Sequence, residues 1–266
     1  MSQSKPQPPK NATMLHVDVV RVAHVTPGMI RVTVGGPALA QFESQGFDQW
    51  FRLFLPLEGE TNFALPKRID LLGYVQYLAM PKATRPPMRN YTVRDFRAAE
   101  LELDIDFVAH GDDGIASGWA ARAQVGERLA ILDQGIMYFP PADADWQLFA
   151  AEESGLPAIA GILRDLPRDT RGHAFLEVPS LVDVQETGAP AGVEVHWIER
   201  EHGQRPGAAA LAAVQALEFL PGTPYAFVVG EQSLPTSLRR WLVTEKGVPK
   251  SHVSFCGFWR VGAATH

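Results

Sequence analysis

The spacing of apolar residues changes near the middle of the chain, and this change limits the folds available to it. In the first half, apolar and polar residues alternate over residues 30–34 (IRVTV) and 101–107 (LELDIDF), as in strands with one face in a core and the other in water. After residues 140–141, a proline pair, short apolar runs alternate with helix-like segments, which is typical of a parallel sheet covered by helices. The sequence therefore predicts two domains of different architecture.

Chain length agrees with this division. A chain of 266 residues exceeds the usual size of one compact core. We predict that residues 14–142 form an antiparallel β-barrel with one short helix near residues 116–123. Residues 143–266 are predicted to form an α/β domain with an open parallel sheet. Residues 1–13 are polar and proline-rich, without the apolar segment of a secretory signal, and we predict a disordered tail there.

Charge and residue usage exclude several classes of partner. The net charge of -6 argues against nucleic acid, and no apolar run is long enough to insert into a membrane. The single cysteine, Cys256, excludes a disulfide framework and a multi-thiolate metal site, and it suits a cytoplasmic protein. No pair among the eight histidines has metal-ligand spacing, so we expect no metal on protein ligands. We expect Asp104 and Asp106, on the outward face of their strand, to be solubilising.

Residues 89–94 (RNYTVR) are the most informative segment. On a strand, Arg89 and Tyr91 share one face. The guanidinium can grip a phosphate with two hydrogen bonds, and the ring can lie on a flavin isoalloxazine. The hydroxyl and N–H of Thr92 can hydrogen-bond the edge of the flavin's central ring. By itself, the segment is equally compatible with an ordinary surface strand.

A second segment, residues 110–119 (HGDDGIASGW), follows the alternating strand. Its small residues open a helix near Ala116, where exposed N–H groups can receive a pyrophosphate. The alternative is a plain helix cap with Asp113 as the capping side chain. Because both segments occur in this order on a predicted barrel, they favour an FAD site.

A third segment, residues 150–158 (AAEESGLPA), lies between a buried strand and a helix, where nucleotides normally bind. It lacks the glycine fingerprint of a Rossmann site, and Glu152 and Glu153 would repel a pyrophosphate if they faced it. A serine-nucleophile elbow is disfavoured, because Glu152 occupies the position that requires glycine.

Together these segments resemble the siderophore-interacting protein family, the flavin-dependent ferric-siderophore reductases of the ferredoxin-reductase-like superfamily. The resemblance runs from about residue 15 to residue 260. Its markers are the segments 89–94, 106–111, 114–120, 152–158, 230–231, 238–240 and 257–260.

The resemblance implies which residues bind the cofactors. For FAD these are Arg89, Tyr91, Thr92, Asp106, Val108, His110, Gly111, Ile115, Ala116, Ser117 and Trp119. Bordering the nicotinamide nucleotide are Glu152, Glu153, Ser154, Gly230 and Glu231, and Trp259 is implied to lie near the flavin. Two segments depart from the family pattern: residues 151–154 read Ala-Glu-Glu-Ser in place of Gly-Asp-Glu-Thr, and Phe258 replaces a tyrosine.

The resemblance implies a reductase that passes electrons from NADPH or NADH through FAD to siderophore-bound Fe(III) and releases Fe(II). Separately, we expect a monomer. Flavin suits this reaction because it converts a two-electron donor into one-electron steps. Two alternatives stay open. One is a flavin-dependent reductase with another donor or acceptor, such as ferredoxin or free flavin. The other is a siderophore-binding protein without turnover.

Two questions of specificity are also raised by the sequence. Residues 67–97 carry seven lysines and arginines against two aspartates, a local positive patch in which Lys82 and Arg85 are candidates to attract an anionic ferric chelate. The alternative is ordinary solvated charge. For the nicotinamide nucleotide, Arg200 and Arg205 would suit a 2′-phosphate, whereas Glu177 would suit a ribose hydroxyl.

Overall fold

A computed structural model describes residues 8–9, 13–57, 65, 71–109 and 114–263 of the chain. The chain divides into two compact units. The N-terminal unit comprises the described residues up to 45 and residues 49–136, and the C-terminal unit comprises Gly46–Asp48 and the chain from Met137 onward. Most of the predicted tail, together with His110, Gly111 and Asp113, lies outside the described residues.

The N-terminal unit contains a seven-stranded antiparallel sheet with the order β4-β3-β7-β1-β2-β6-β5. The strands are β1 (Met14–Thr26), β2 (Met29–Gly35), β3 (Trp50–Phe54), β4 (Met88–Thr92), β5 (Asp95–Arg97), β6 (Glu102–Val108) and β7 (Arg128–Gly135). Two helices, α1 (Leu71–Ala79) and α2 (Ile115–Arg122), accompany them. The helix α2 agrees with the predicted short helix, whereas α1 was not predicted.

The sheet curls because β4 and β5 are consecutive in the chain but stand at opposite ends of the strand order. The Arg94 N–H, in the link between them, donates to the Asp104 carbonyl oxygen on β6 at 2.9 Å. The rings of Tyr91 on β4 and Phe107 on β6 lie 4.3 Å apart. In the described part of the chain no strand ladder joins β4 to β6, so strand pairing does not close the predicted barrel there.

The expectation that Asp104 and Asp106 are solubilising is wrong, since each is only 5% exposed. Arg31, opposite Asp106 on the neighbouring β2, donates to its carboxylate at 2.7 and 2.9 Å. Arg97 donates to both Asp104 oxygens at 2.8 Å. Burial opposes ionisation of Asp104, but the hydrogen bonds from Arg97 and Thr33 outweigh it and lower the pKa of this carboxyl. The alternation along the strand showed which face carries the polar residues. It could not show that arginines on the adjacent strands pair with them.

The C-terminal unit confirms the predicted α/β fold. Its five strands are parallel and have the order β10-β9-β8-β11-β12. They are β8 (Trp146–Ala151), β9 (Gly172–Val178), β10 (Val193–Glu199), β11 (Pro224–Glu231) and β12 (Val253–Trp259), with helices α3 (Leu156–Asp165), α4 (Ala208–Ala216) and α5 (Ser233–Thr244). Every residue of β8, β9 and β11 is buried, which explains their continuous apolar runs.

The strand order of this unit determines where a ligand can bind. From β8 the chain runs outward to β9 and β10, then returns to the other side of β8 as β11. The direction in which successive strands are added to the sheet therefore reverses between β8 and β11. The crevice at the carboxyl ends of these two strands is the usual ligand site of an open α/β sheet. None of the helices in the described part of the chain has both the length and the apolarity to span a bilayer.

Candidate functional site

Glu152 lies at the reversal point, directly after β8, and links three strand ends. Its buried carboxylate accepts the Glu231 N–H at 2.9 Å at the end of β11 and the Trp259 Nε1–H at 3.0 Å at the end of β12. It also accepts both the N–H and the hydroxyl of Ser154. Burial, with the charge of Glu153 beside it, raises the pKa of Glu152. This carboxyl thus fixes the position of the Trp259 ring.

Glu153 and Glu177 share one cation, Arg200. The guanidinium donates to both Glu153 oxygens at 2.7 Å and to a Glu177 oxygen at 3.1 Å. The Glu177 carboxylate also accepts the N–H groups of Gly207, Ala209 and Ala210 at 2.8 to 3.0 Å, at the start of α4. Both carboxylates are therefore satisfied inside the protein, and Arg200 is committed to them.

Glu231 forms a further ion pair of the crevice, with Arg205. Its carboxylate is fully buried and accepts from Arg205 at 2.8 Å, from Ser233 and from the Val261 N–H at 3.2 Å. Burial opposes ionisation, but the hydrogen bonds from Arg205 and Ser233 outweigh it and lower the pKa of Glu231 to about 2. The Arg205 side chain is 52% exposed, so it can also meet a ligand from solvent.

Two glycines allow the turns of the crevice to approach each other. A Cβ on Gly230, whose φ is 125°, would lie 2.6 Å from the Glu152 Oε1. A Cβ on Gly155 would lie 2.7 Å from both Ala151 Cβ and Val229 Cγ2. Gly155 is therefore required for packing between β8, β11 and the turn.

In the N-terminal unit, β4 carries the predicted flavin residues Arg89, Tyr91 and Thr92. Arg89 donates to the carbonyl oxygen of Met88 at 2.8 Å, and no ion pair to it is seen among the residues that the structure describes. The ring of Tyr91 packs on Phe107, and burial raises the pKa of its hydroxyl. Thr92 is buried at the end of the strand. The guanidinium of Arg89 therefore has donors to spare for a phosphate.

Helix α2 provides a second element for a phosphate. Its N-cap is Gly114, without a side-chain hydrogen bond, so the first N–H groups, at Ile115, Ala116 and Ser117, have no side-chain cap. A Cβ on Gly114 would lie 2.5 Å from the Ser117 Oγ. Trp119 of the same helix packs on Phe107, the residue that Tyr91 contacts. Strand β4 and helix α2 are thus joined through Phe107, and the arrangement fits a dinucleotide.

Four other predicted residues are placed as follows. Asp106 is bound to Arg31 and Arg94, so its carboxylate stabilises the sheet. Lys82 is exposed, and the guanidinium of Arg85 lies 5.6 Å from the Tyr77 ring and donates to the Leu78 carbonyl oxygen. Both follow α1. Val108, the last residue of β6, is half-buried.

Other solved structures share the fold of this chain. The ferredoxin reductase of carbazole 1,9a-dioxygenase is similar with a TM-score of 0.65 at 17% identity, over 94% of this chain and 71% of that chain. Residues 18–137 match the siderophore-interacting FAD-binding domain, and residues 144–262 match the siderophore-interacting protein model. The chain belongs to the siderophore-interacting protein family, as its sequence resemblance predicts.

Relatives of known name match nearly the whole length of this chain. The ferric vibriobactin reductase of Vibrio cholerae is 30% identical, over 92% of this chain and 89% of the relative. The NADPH-dependent ferric-chelate reductase of Escherichia coli is 30% identical, over 91% of each. The structure of a siderophore utilization protein from T. fusca is similar with a TM-score of 0.82 at 33% identity, over 98% of each chain.

Proposed function

We propose that the protein is a ferric-siderophore reductase that uses FAD and NADPH and acts as a cytoplasmic monomer. Relatives of similar length are named as reductases of ferric vibriobactin and of ferric chelates. The observation that carries the proposal is that Phe107 joins Tyr91, on the same strand as Arg89, to Trp119 of α2 in a domain of the FAD-binding type. The start of α2 has no side-chain cap. This combination provides phosphate donors and an aromatic surface in one unit.

The residues of the chain bind and orient, since the chemistry requires no catalytic acid. When bound, FAD supplies the conversion of a two-electron donor into one-electron steps. Arg89 and the N–H groups at the start of α2 would hold its phosphates, and Tyr91 would lie against its ring. In the C-terminal unit, Glu152 holds Trp259 in place. Catalysis is then mainly the correct placement of redox partners.

Two measurements on the purified protein test the function. The protein should be yellow, and its flavin absorbance should bleach on anaerobic addition of NADPH. Adding a ferric siderophore should restore the absorbance, while a chelator specific for Fe²⁺ captures the product. If NADPH bleaches the protein but only free flavin or ferredoxin reoxidises it, the protein is a flavin-dependent reductase with another acceptor. If the protein is colourless and binds siderophore, it is a siderophore-binding protein without turnover.

The crevice favours NADPH over NADH. Glu177 accepts three backbone N–H groups and Arg200, so it has little capacity left for a ribose hydroxyl, the role that an acidic residue plays in NAD sites. Of the two arginines proposed for a 2′-phosphate, Arg200 is committed to Glu153 and Arg205 is half-exposed. We therefore assign the 2′-phosphate to Arg205.

Replacing Arg205 with glutamine should raise the KM for NADPH roughly tenfold, as expected from loss of one charged hydrogen bond. The KM for NADH should change little, because NADH has no 2′-phosphate. Steady-state kinetics with both nucleotides measure this, with thermal melting to verify that Glu231 tolerates the loss of its partner. Arg171→Gln, an exposed arginine just before β9, is the matched control. An equal effect on both nucleotides would remove Arg205 from this role.

We further propose that Lys82 and Arg85 recruit anionic ferric chelates by charge. The double variant Lys82→Gln with Arg85→Gln should raise the apparent KM for a negatively charged ferric siderophore, and added salt should reduce the difference, since the Debye length is about 10 Å at 0.1 M. The rate with a neutral ferric hydroxamate should stay nearly unchanged. Arg240→Gln with Lys250→Gln makes the same charge change at exposed positions of the C-terminal unit. If it has the same effect, net charge rather than this patch is responsible.

A further inference from the structure

Three side chains with metal-binding atoms meet on β9 and β10 of the C-terminal unit. His173 on β9 lies opposite Glu194 on β10, and His196 follows two residues later on the same face. The His173 Nδ1 lies 3.1 Å from the His196 Nε2. A Glu194 carboxylate oxygen lies 3.6 Å from the first nitrogen and 3.8 Å from the second. Three potential ligand atoms thus lie within 3.8 Å of one another.

We propose that His173, Glu194 and His196 bind a divalent transition-metal ion. Metal–ligand distances near 2.0–2.1 Å with tetrahedral angles place the ligand atoms roughly 3.3 Å from each other. The separations of 3.1, 3.6 and 3.8 Å lie close to this value. Two imidazoles with one carboxylate suit Zn²⁺ and neighbouring first-row ions such as Co²⁺, Ni²⁺ and Fe²⁺, whereas Mg²⁺ and Ca²⁺ prefer oxygen ligands.

Aromatic neighbours hold both imidazoles in place. The His196 ring stacks on Phe175 with a centroid distance of 4.5 Å and an interplanar angle of 14°. The His173 ring meets the Trp146 ring edge to face at 6.2 Å. Because the rings are already oriented, little conformational freedom is lost on binding. The Glu194 side chain is 67% exposed, so the remaining coordination positions of the ion would be open to water.

The cluster is separate from the nucleotide crevice. His173 and Glu194 are the second residues of their strands, at the amino ends, whereas Glu152 and Glu231 stand at the carboxyl ends of β8 and β11. The metal site therefore does not depend on the proposed reductase function. The expectation of no metal rested on spacing along the chain, and the parallel pairing of β9 with β10 brings together histidines 23 residues apart.

Calorimetric titration of Zn²⁺ into the FAD-loaded protein, after chelator treatment and desalting, tests the proposal. We expect one saturable site per chain and a rise in melting temperature with Zn²⁺, since a ligand that binds only the folded state stabilises it. Glu194→Gln should weaken Zn²⁺ binding roughly tenfold and His196→Gln roughly a hundredfold, at least matching the losses seen when groups around metal ligands are changed. Glu194 is exposed, so its variant keeps the fold testable.

His202→Gln and Cys256→Ser are the matched controls, because each removes a metal-binding group elsewhere in the same unit. Both should bind Zn²⁺ with the affinity of the parent and show the same rise in melting temperature. Absence of a saturable site in the parent would overturn the proposal. Equal loss of binding in His202→Gln and His196→Gln would overturn it as well, since binding would then be nonspecific.

Discussion

Replacing Arg200 with alanine is expected to lower the free energy of unfolding of the C-terminal unit by about 3–5 kcal/mol. Arg200 is the cation of two buried carboxylates, Glu153 and Glu177, and its loss leaves Glu153 charged, buried and unpaired. Urea unfolding followed by tryptophan fluorescence measures the effect, because this unit contains Trp146, Trp197, Trp241 and Trp259.

The stability lost in Arg200→Ala should depend on pH in one direction. Burial alone would raise the pKa of Glu153, but the hydrogen bonds from Arg200 outweigh it and lower the pKa below its ordinary 4.5. The stabilisation by this pair is therefore present above about pH 4.5 and lost as the pH falls through the lowered pKa of the folded state. The difference in stability between parent and variant should shrink in acid.

A second substitution tests whether the lost ion pair, rather than general disruption of the fold, lowers the stability of Arg200→Ala. Adding Glu153→Gln to Arg200→Ala should restore part of the lost stability, because the uncompensated charge is removed. Arg171→Ala, which truncates an exposed arginine of the same unit, should cost less than about 0.5 kcal/mol. If the double variant is less stable than Arg200→Ala, the charge of Glu153 is not the source of the effect.

Replacing Arg89 with alanine is expected to weaken FAD binding by about 1.5–3 kcal/mol, or roughly 10- to 150-fold in Kd. The guanidinium has no carboxylate partner among the described residues, and β4 carries it beside Tyr91. Its charge is therefore available to a phosphate. Fluorescence titration of the FAD-free protein with FAD measures the Kd directly.

Arg52 provides the matched control for Arg89. It lies on the neighbouring strand β3 opposite Asn90, so its side chain is on the other face of the sheet from Arg89. Arg52→Ala should bind FAD as the parent does. Equal FAD affinity in Arg89→Ala and the parent would remove Arg89 from the site, and equal weakening in both arginine variants would point to damage to the sheet.

The sequence by itself determined the two architectures. Strict alternation at residues 30–34 and 101–107 predicted antiparallel strands, and the continuous apolar runs predicted the parallel sheet, because the spacing of apolar residues is a local property of the chain. The segments 89–94 and 110–119 were also singled out from local patterns, since an arginine and a tyrosine on one strand face and a helix start of small residues can both be recognised in a short stretch of sequence.

Only the tertiary structure decided how charged residues are paired. From the sequence, Asp104 and Asp106 are expected at the surface, but in the structure Arg97 on β5 pairs with Asp104 and Arg31 on β2 pairs with Asp106. Glu177 was a candidate for a ribose hydroxyl until the start of α4, about 30 residues further along the chain, occupied its carboxylate. The same is true of the cluster of His173 and His196, which depends on the register of β9 with β10. Strand register and the order of strands in a sheet are set by long-range packing, so no local pattern in the sequence carries them.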